Sequence, residues 1–260
     1  MLRVGIITMH KVQNFGSALQ AYALQYVINR MGYESELIDY TYPNMEHCAY
    51  QNTIVDFRAV GISKMLRIIG SKIIRRLKKQ PVNLFCKFYE SYFHCSEHAY
   101  NTILELKQNP PSYDIYMTGS DQVWNPTYIG FDTNYLLDFA PPSSKKVSYA
   151  ASFAISDIPN PFNFIYSSKL KEYNHISVRE NAGRNLIKRM TERDAEVVCD
   201  PTLLLNKEEW GNIAKRSIFQ TSKQYLLVYI VGYAYNPYPQ IYNYIKRVND
   251  KLNLPIILIN

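Results

Sequence analysis

The 260-residue chain is poor in cysteine, tryptophan and glycine, with 4, 2 and 10 of each. Cys48, Cys86, Cys95 and Cys199 are scattered and form no Cys-x-x-Cys pair, which fits a reduced, cytoplasmic chain. No apolar run is long enough to span a bilayer. The opening stretch Met1-Leu2-Arg3-Val4-Gly5-Ile6-Ile7 lacks the apolar core and cleavage site of a signal peptide. The loop after this first strand carries Gly16 alone, so it is neither a dinucleotide fingerprint nor a P-loop. There is no internal repeat and no low-complexity tract. No nucleic-acid-binding signature accompanies the net charge of +7, so no nucleic acid is expected as a partner; the charge favours anionic ligands in general.

What is abundant is tyrosine, with 23 copies, in a composition that is 47% hydrophobic and 20% charged and otherwise ordinary for a globular protein. Leu2 to Ile7 reads as a buried strand followed by a polar loop. Ser17 is expected to cap a helix running to about Met31, with Leu19, Tyr22, Ala23, Tyr26 and Val27 at helical spacing and Gly32 as the stop. Tyr33 to Tyr40 reads as a second strand, completing a βαβ unit whose helix N-terminus can hold an anion. Residues 41–80 read as an insertion. Its half from Ile62 to Lys79 is a basic amphipathic helix, suited either to an anionic membrane surface or to packing on a sheet. The next stretch, to about Leu106, reads as helical and carries His94 and His98 four residues apart; no further ligand completes a metal site there.

From residue 113 onward strands alternate with helices, and several strands end in polar tips. Tyr113 to Thr118 runs into Gly119-Ser120-Asp121-Gln122-Val123-Trp124-Asn125-Pro126. Ser148-Tyr149-Ala150-Ala151-Ser152-Phe153, Ile176-Ser177-Val178-Arg179-Glu180 and Asp200-Pro201-Thr202 follow the same plan. In an open α/β sheet such tips line the ligand crevice. The second domain is read as residues 222–260, after a spacer from about Lys207 to Gln224, as the opening strand–helix–strand of another Rossmann-like lobe.

Taken together, Asn14-Phe15-Gly16-Ser17-Ala18-Leu19-Gln20-Ala21, Gly119 to Pro126, Ser148 to Phe153, Ile176 to Glu180 and Asp200 to Leu205 resemble the polysaccharide pyruvyl transferase family in order and spacing. The resemblance implies an α/β fold with the two-lobed glycosyltransferase B-like architecture: residues 1–221 would be the N-terminal Rossmann-like lobe and 222–260 a truncated second one. It implies transfer of the enolpyruvyl group of phosphoenolpyruvate to sugar hydroxyls of a capsular, exopolysaccharide or cell-wall glycan, giving a pyruvate ketal without metal or cofactor. A glycan or lipid-linked oligosaccharide is the expected acceptor partner, at the inner face of a bacterial cell membrane.

Arg179 matches the family's Arg in its motif and is the first candidate to grip the donor's anionic oxygens; a salt bridge to Glu180 or Asp200 is the competing role. Asp121 and His10 are the acid and base candidates. Asn14, Gly16 and Ser17 can present amide and hydroxyl donors to acceptor or phosphate. Trp124 offers a sugar platform or a core ring, and Ser120, Ser152 and Asp200 enter as strand-tip residues. Two other functions fit the same residues: a nucleotide-sugar glycosyltransferase, and a catalytically inactive lobe binding glycan or a partner enzyme.

Overall fold

A computed structural model describes residues 1–40, 84–130, 132–160, 162–215, 224–230 and 238–259. The basic segment 62–79 therefore lies outside the described residues. Two compact units divide the chain, Met1–Asn206 and Lys207–Asn260.

The first unit is an α/β domain built on a parallel sheet. Its strands are β1 (Arg3–Ile7), β2 (Glu34–Leu37), β3 (Ile115–Thr118) and β4 (Lys145–Ser148), in the order β2-β1-β3-β4. Two short parallel strands, β5 (Ser177–Val178) and β6 (Glu196–Val197), extend the β4 edge through bridges pairing Val147 with His175 and Ala151 with Val178. β1 is buried from Val4 to Ile7, as a strand covered on both faces should be. Gly5 is required at its centre, because a Cβ there would lie 2.1 Å from the Tyr113 ring.

Helix α1 (Phe15–Arg30) follows β1, and here the local expectation needs a correction. Asn14, not Ser17, is the N-cap: its side chain accepts from the Ser17 N–H at 3.1 Å. Ser17 thus sits inside the first turn with its hydroxyl available to a neighbouring strand. The helix ends where expected, with Gly32 at φ 90° and the Tyr33 amide reaching back to the Ile28 carbonyl at 3.3 Å.

Helix α2 (Leu84–Tyr92) is shorter than the sequence suggests. The chain then turns extended: Leu37 and Cys95 form a parallel bridge, with the Leu37 amide bonded to the His94 carbonyl at 2.8 Å. His94 and His98 are therefore not on one helix face. His94 Nδ1 lies 3.2 Å from the Ser35 carbonyl and His98 Nε2 lies 3.0 Å from Glu105. Among the described residues no group of three or more His, Cys, Asp or Glu is placed to hold a metal ion. Cys95 and Cys199 are free thiols.

Helix α3 (Ile103–Gln108) is capped by Thr102, whose side chain accepts from the Glu105 N–H at 3.1 Å, while Glu105 reaches back to accept from the Asn101 N–H at 2.8 Å. The one-turn helix α4 (Pro126–Ile129), α5 (Phe162–Leu170) and α6 (Asn181–Thr191) complete the layers around the sheet. In the second unit the stretch read as a spacer contains helix α7 (Lys207–Ala214). Its parallel pair β7 (Leu226–Tyr229) and β8 (Ile256–Ile259) is connected through helix α8 (Gln240–Leu252). No helix among the described residues is long and apolar enough to cross a membrane.

Candidate active site at the carboxyl edge

The strand order reverses direction at β1: the chain passes from β1 to β2 on one side, then returns to β3 on the other. Loops leaving the carboxyl ends of β1 and β3 diverge there, opening the crevice in which such sheets bind ligands. The residues at that point form one hydrogen-bonded band. The Thr8 hydroxyl, just past β1, donates to the Ser120 carbonyl, just past β3, at 3.0 Å. Gln20, one helical turn beyond Ser17, donates to the Thr8 hydroxyl and the Ser17 carbonyl, both at 3.0 Å. The Ser17 hydroxyl donates to Asp121 Oδ2 at 2.5 Å, tying the first turn of α1 to the β3 tip.

The β3 tip has a shape only its own residues allow. Gly119 has φ 111°, and a Cβ there would lie 2.2 Å from the Tyr149 carbonyl oxygen. Asp121 is left-handed at φ 71°, a conformation Asp tolerates better than most residues, and its Oδ1 accepts from the Gln122 N–H at 2.8 Å. The buried Ser120 hydroxyl donates to the Ala150 carbonyl at 2.9 Å.

The band continues across β4, β5 and β6. The Ser152 amide donates to the Asp121 carbonyl at 2.9 Å, and the Ser152 hydroxyl to Glu180 Oε1 at 2.5 Å. Arg179 donates from Nε to Glu180 Oε1 at 3.3 Å and from Nη1 to Asp200 Oδ2 at 3.1 Å. The other Asp200 oxygen accepts from the Thr202 N–H at 3.0 Å and its hydroxyl at 2.8 Å, capping a 3₁₀ turn over Pro201–Leu203. Burial alone would lower the pKa of Arg179; the Asp200 hydrogen bond, with the charges of Asp121, Glu180 and Asp200, outweighs it and keeps the guanidinium charged. The salt bridges expected as the competing role for Arg179 are thus both present.

Of the residues singled out by sequence, Ser17, Ser120, Asp121, Ser152, Arg179 and Asp200 come together in this band. Asn14 and the exposed Gly16 stand beside it in the turn that presents Ser17, and a Cβ on Gly16 would lie 3.2 Å from the Asn14 cap oxygen.

His10 turns toward the β2 side instead. Its Nδ1 lies 3.0 Å from the Thr8 carbonyl, its ring stacks edge-on to Phe93, and Nε2 is 3.9 Å from Asp39 with no hydrogen-bond partner among the described residues. Burial opposes the imidazolium, but the Asp39 carboxylate and the Cys95 thiol more than offset it and raise its pKa to about 9. Asp39 is in turn gripped by Lys11 at 2.6 and 2.7 Å.

Trp124 is in the core, not on a ligand-facing wall. It has no exposed surface, its Nε1 donates to the Tyr135 carbonyl at 3.1 Å, and Phe153 and Tyr173 pack around it. The residues missed by sequence reasoning are Thr8, Gln20 and Glu180 as a site member. Glu180 had a signal in its place beside Arg179 at a strand tip, and Gln20 in lying one turn from Ser17; Thr8 had none.

Open α/β sheets with such a switch point bind their ligands, where they bind any, in the crevice at the strand tips. A family model for polysaccharide pyruvyl transferase matches residues 14–259, nearly the whole chain, and the chain belongs to that family. No curated protein matches it.

Proposed function

We propose that this protein transfers the enolpyruvyl unit of phosphoenolpyruvate to two hydroxyls of a sugar in a capsular, exopolysaccharide or cell-wall glycan. One hydroxyl adds to the donor's C2 while a proton reaches the methylene carbon, making it a methyl group. The C–O bond to phosphate then breaks, and the second hydroxyl closes the ketal, its proton leaving with inorganic phosphate. The observation that carries this reading is the assembly of five family-like segments, distant in sequence, along one carboxyl edge: Ser17, Asp121, Ser152, Arg179 with Glu180, and Asp200. Asp121, held by the Ser17 hydroxyl, supplies a carboxylate to take the acceptor's proton. Arg179 supplies positive charge for the donor. We read the two compact units as lobes of a glycosyltransferase B-like architecture, the acceptor as lipid-linked, and the basic stretch 62–79 as its means of meeting an anionic membrane.

The test is phosphate release from phosphoenolpyruvate by the full chain with a panel of bacterial glycans, together with a glycan mass gain equal to one pyruvate ketal. Asp121→Asn keeps the left-handed backbone, since Asn also tolerates it, and removes the base. Its rate should fall by roughly 10²- to 10⁴-fold. A wild type that releases no phosphate with any glycan would sink the reading, and an Asp121→Asn enzyme at full rate would remove Asp121 from the chemistry.

A further inference from the structure

Glu180 occupies the N-cap position of α6 yet makes no side-chain cap bond to that helix. A cap side chain normally accepts from the first-turn amides, and forgoing this destabilises a helix. Its carboxylate is instead turned to the strand tips, where one oxygen, Oε1, accepts from both the Ser152 hydroxyl at 2.5 Å and Arg179 Nε at 3.3 Å. The second restraint on Arg179 comes from Asp200, itself fixed by the Thr202 amide and hydroxyl. With Nε and Nη1 each held by one carboxylate, the guanidinium cannot rotate about its last bonds without breaking one of them. The Nη2 donors have no partner among the described residues. The arrangement therefore leaves the Nη2 group of a fixed, partly exposed cation able to donate to a further anionic oxygen. Holding a side chain in one orientation before the ligand arrives removes the entropy of ordering it on binding.

We propose that Glu180 is a positioning residue of this site: by gripping Ser152 and Arg179 through one oxygen, it orients the guanidinium for the carboxylate or phosphate of an anionic donor. This rests on the pyruvyl-transfer reading above. Ser152 is the anchor that keeps Glu180 in place, since its hydroxyl also accepts from the Ala154 amide at 3.1 Å and so stays fixed. Glu180 acts through Arg179 and does not itself touch the donor.

The experiment uses the full chain and two readouts. In side-chain ¹H–¹⁵N spectra the wild type should show a slowly exchanging Arg179 Nε–H signal, assigned by its loss in Arg179→Lys. In Glu180→Ala that signal should become fast-exchanging, and phosphoenolpyruvate binding by calorimetry should weaken about tenfold. Glu180→Gln keeps an oxygen able to accept both bonds, so it should restore the protected signal and bind the donor at least as tightly as the wild type. A protected Nε–H in Glu180→Ala, or donor affinity unchanged in that variant, would overturn the proposal; so would a Glu180→Gln protein that behaves like Glu180→Ala while melting at the wild-type temperature. A wild type that does not bind phosphoenolpyruvate would instead remove the donor reading, and the Nε–H signal alone would then decide whether Glu180 orients Arg179.

Discussion

At residue 124 an indole that sequence places beside a candidate site is enclosed by Phe153 and Tyr173, with its one N–H matched to the Tyr135 carbonyl. Its contribution is packing. Trp124→Ala should lower unfolding stability by about 3–5 kcal/mol, read from urea denaturation, with Trp124→Phe closer to the wild type. A Trp124→Ala protein of undiminished stability but lost glycan binding would return the ring to a ligand role. Ser17 shows the opposite case. Because Asn14 takes the cap, the Ser17 hydroxyl is left to bond Asp121 at 2.5 Å, so a side chain expected to serve helix α1 serves the β3 tip.

Between elements, α3 and α5 are tied together through a single carboxylate. Asp138 accepts from Lys107 of α3 at 2.5 Å and from Thr133 at 2.7 Å, and pairs with Lys169 of α5 at 2.5 Å. Burial alone would raise its pKa, but the hydrogen bonds from Lys107, Lys169 and Thr133 outweigh this and hold it well below the usual carboxylate range. A carboxylate depressed in the folded state adds stability above its unfolded pKa of about 3.9, and that stability is lost as pH falls through the folded value. Asp138→Asn should therefore be less stable than the wild type at neutral pH by about 1–3 kcal/mol. The gap should begin to close as pH drops below about 4. A gap that is absent at neutral pH, or that widens in acid, would show that the bridge contributes nothing to holding the two helices.

At the scale of the whole molecule, the charge pattern of one segment makes a prediction about membrane contact. The stretch from Ile62 to Lys79 carries Lys64, Arg67, Lys72, Arg75, Arg76, Lys78 and Lys79 without one acid. If it meets an anionic bilayer, attraction of roughly 1 kcal/mol per basic residue near the surface is expected. Co-sedimentation with anionic vesicles should then fall as added salt shortens the Debye length from about 10 Å to about 3 Å. Changing Arg75, Arg76, Lys78 and Lys79 to Gln should abolish it without altering the melting temperature. Binding that is absent, or indifferent to both salt and substitution, would leave the segment without a membrane role.

The sequence by itself determined the α/β class, the parallel strand order's ingredients and the family, because buried strands, helix stops such as Gly32 and strand-tip motifs are local patterns of residue type. It also singled out most of the residues that meet at the carboxyl edge, since loops after parallel strands must gather at one edge. Only the tertiary structure decided which of those residues meet. His10 and Asp121 both follow strands, yet the order β2-β1-β3 lets His10 turn toward Asp39 and Phe93 while Asp121 meets Ser17 and Ser152. Trp124 and Asp121 are three residues apart, and a left-handed turn at Asp121 sends one into the core and leaves the other half-exposed. Arg179 has Glu180 as its chain neighbour but reaches Asp200 only because β5 and β6 lie side by side. Side-chain direction at a strand tip is set by the backbone turn and by neighbours far away in sequence, and neither is written in the local pattern.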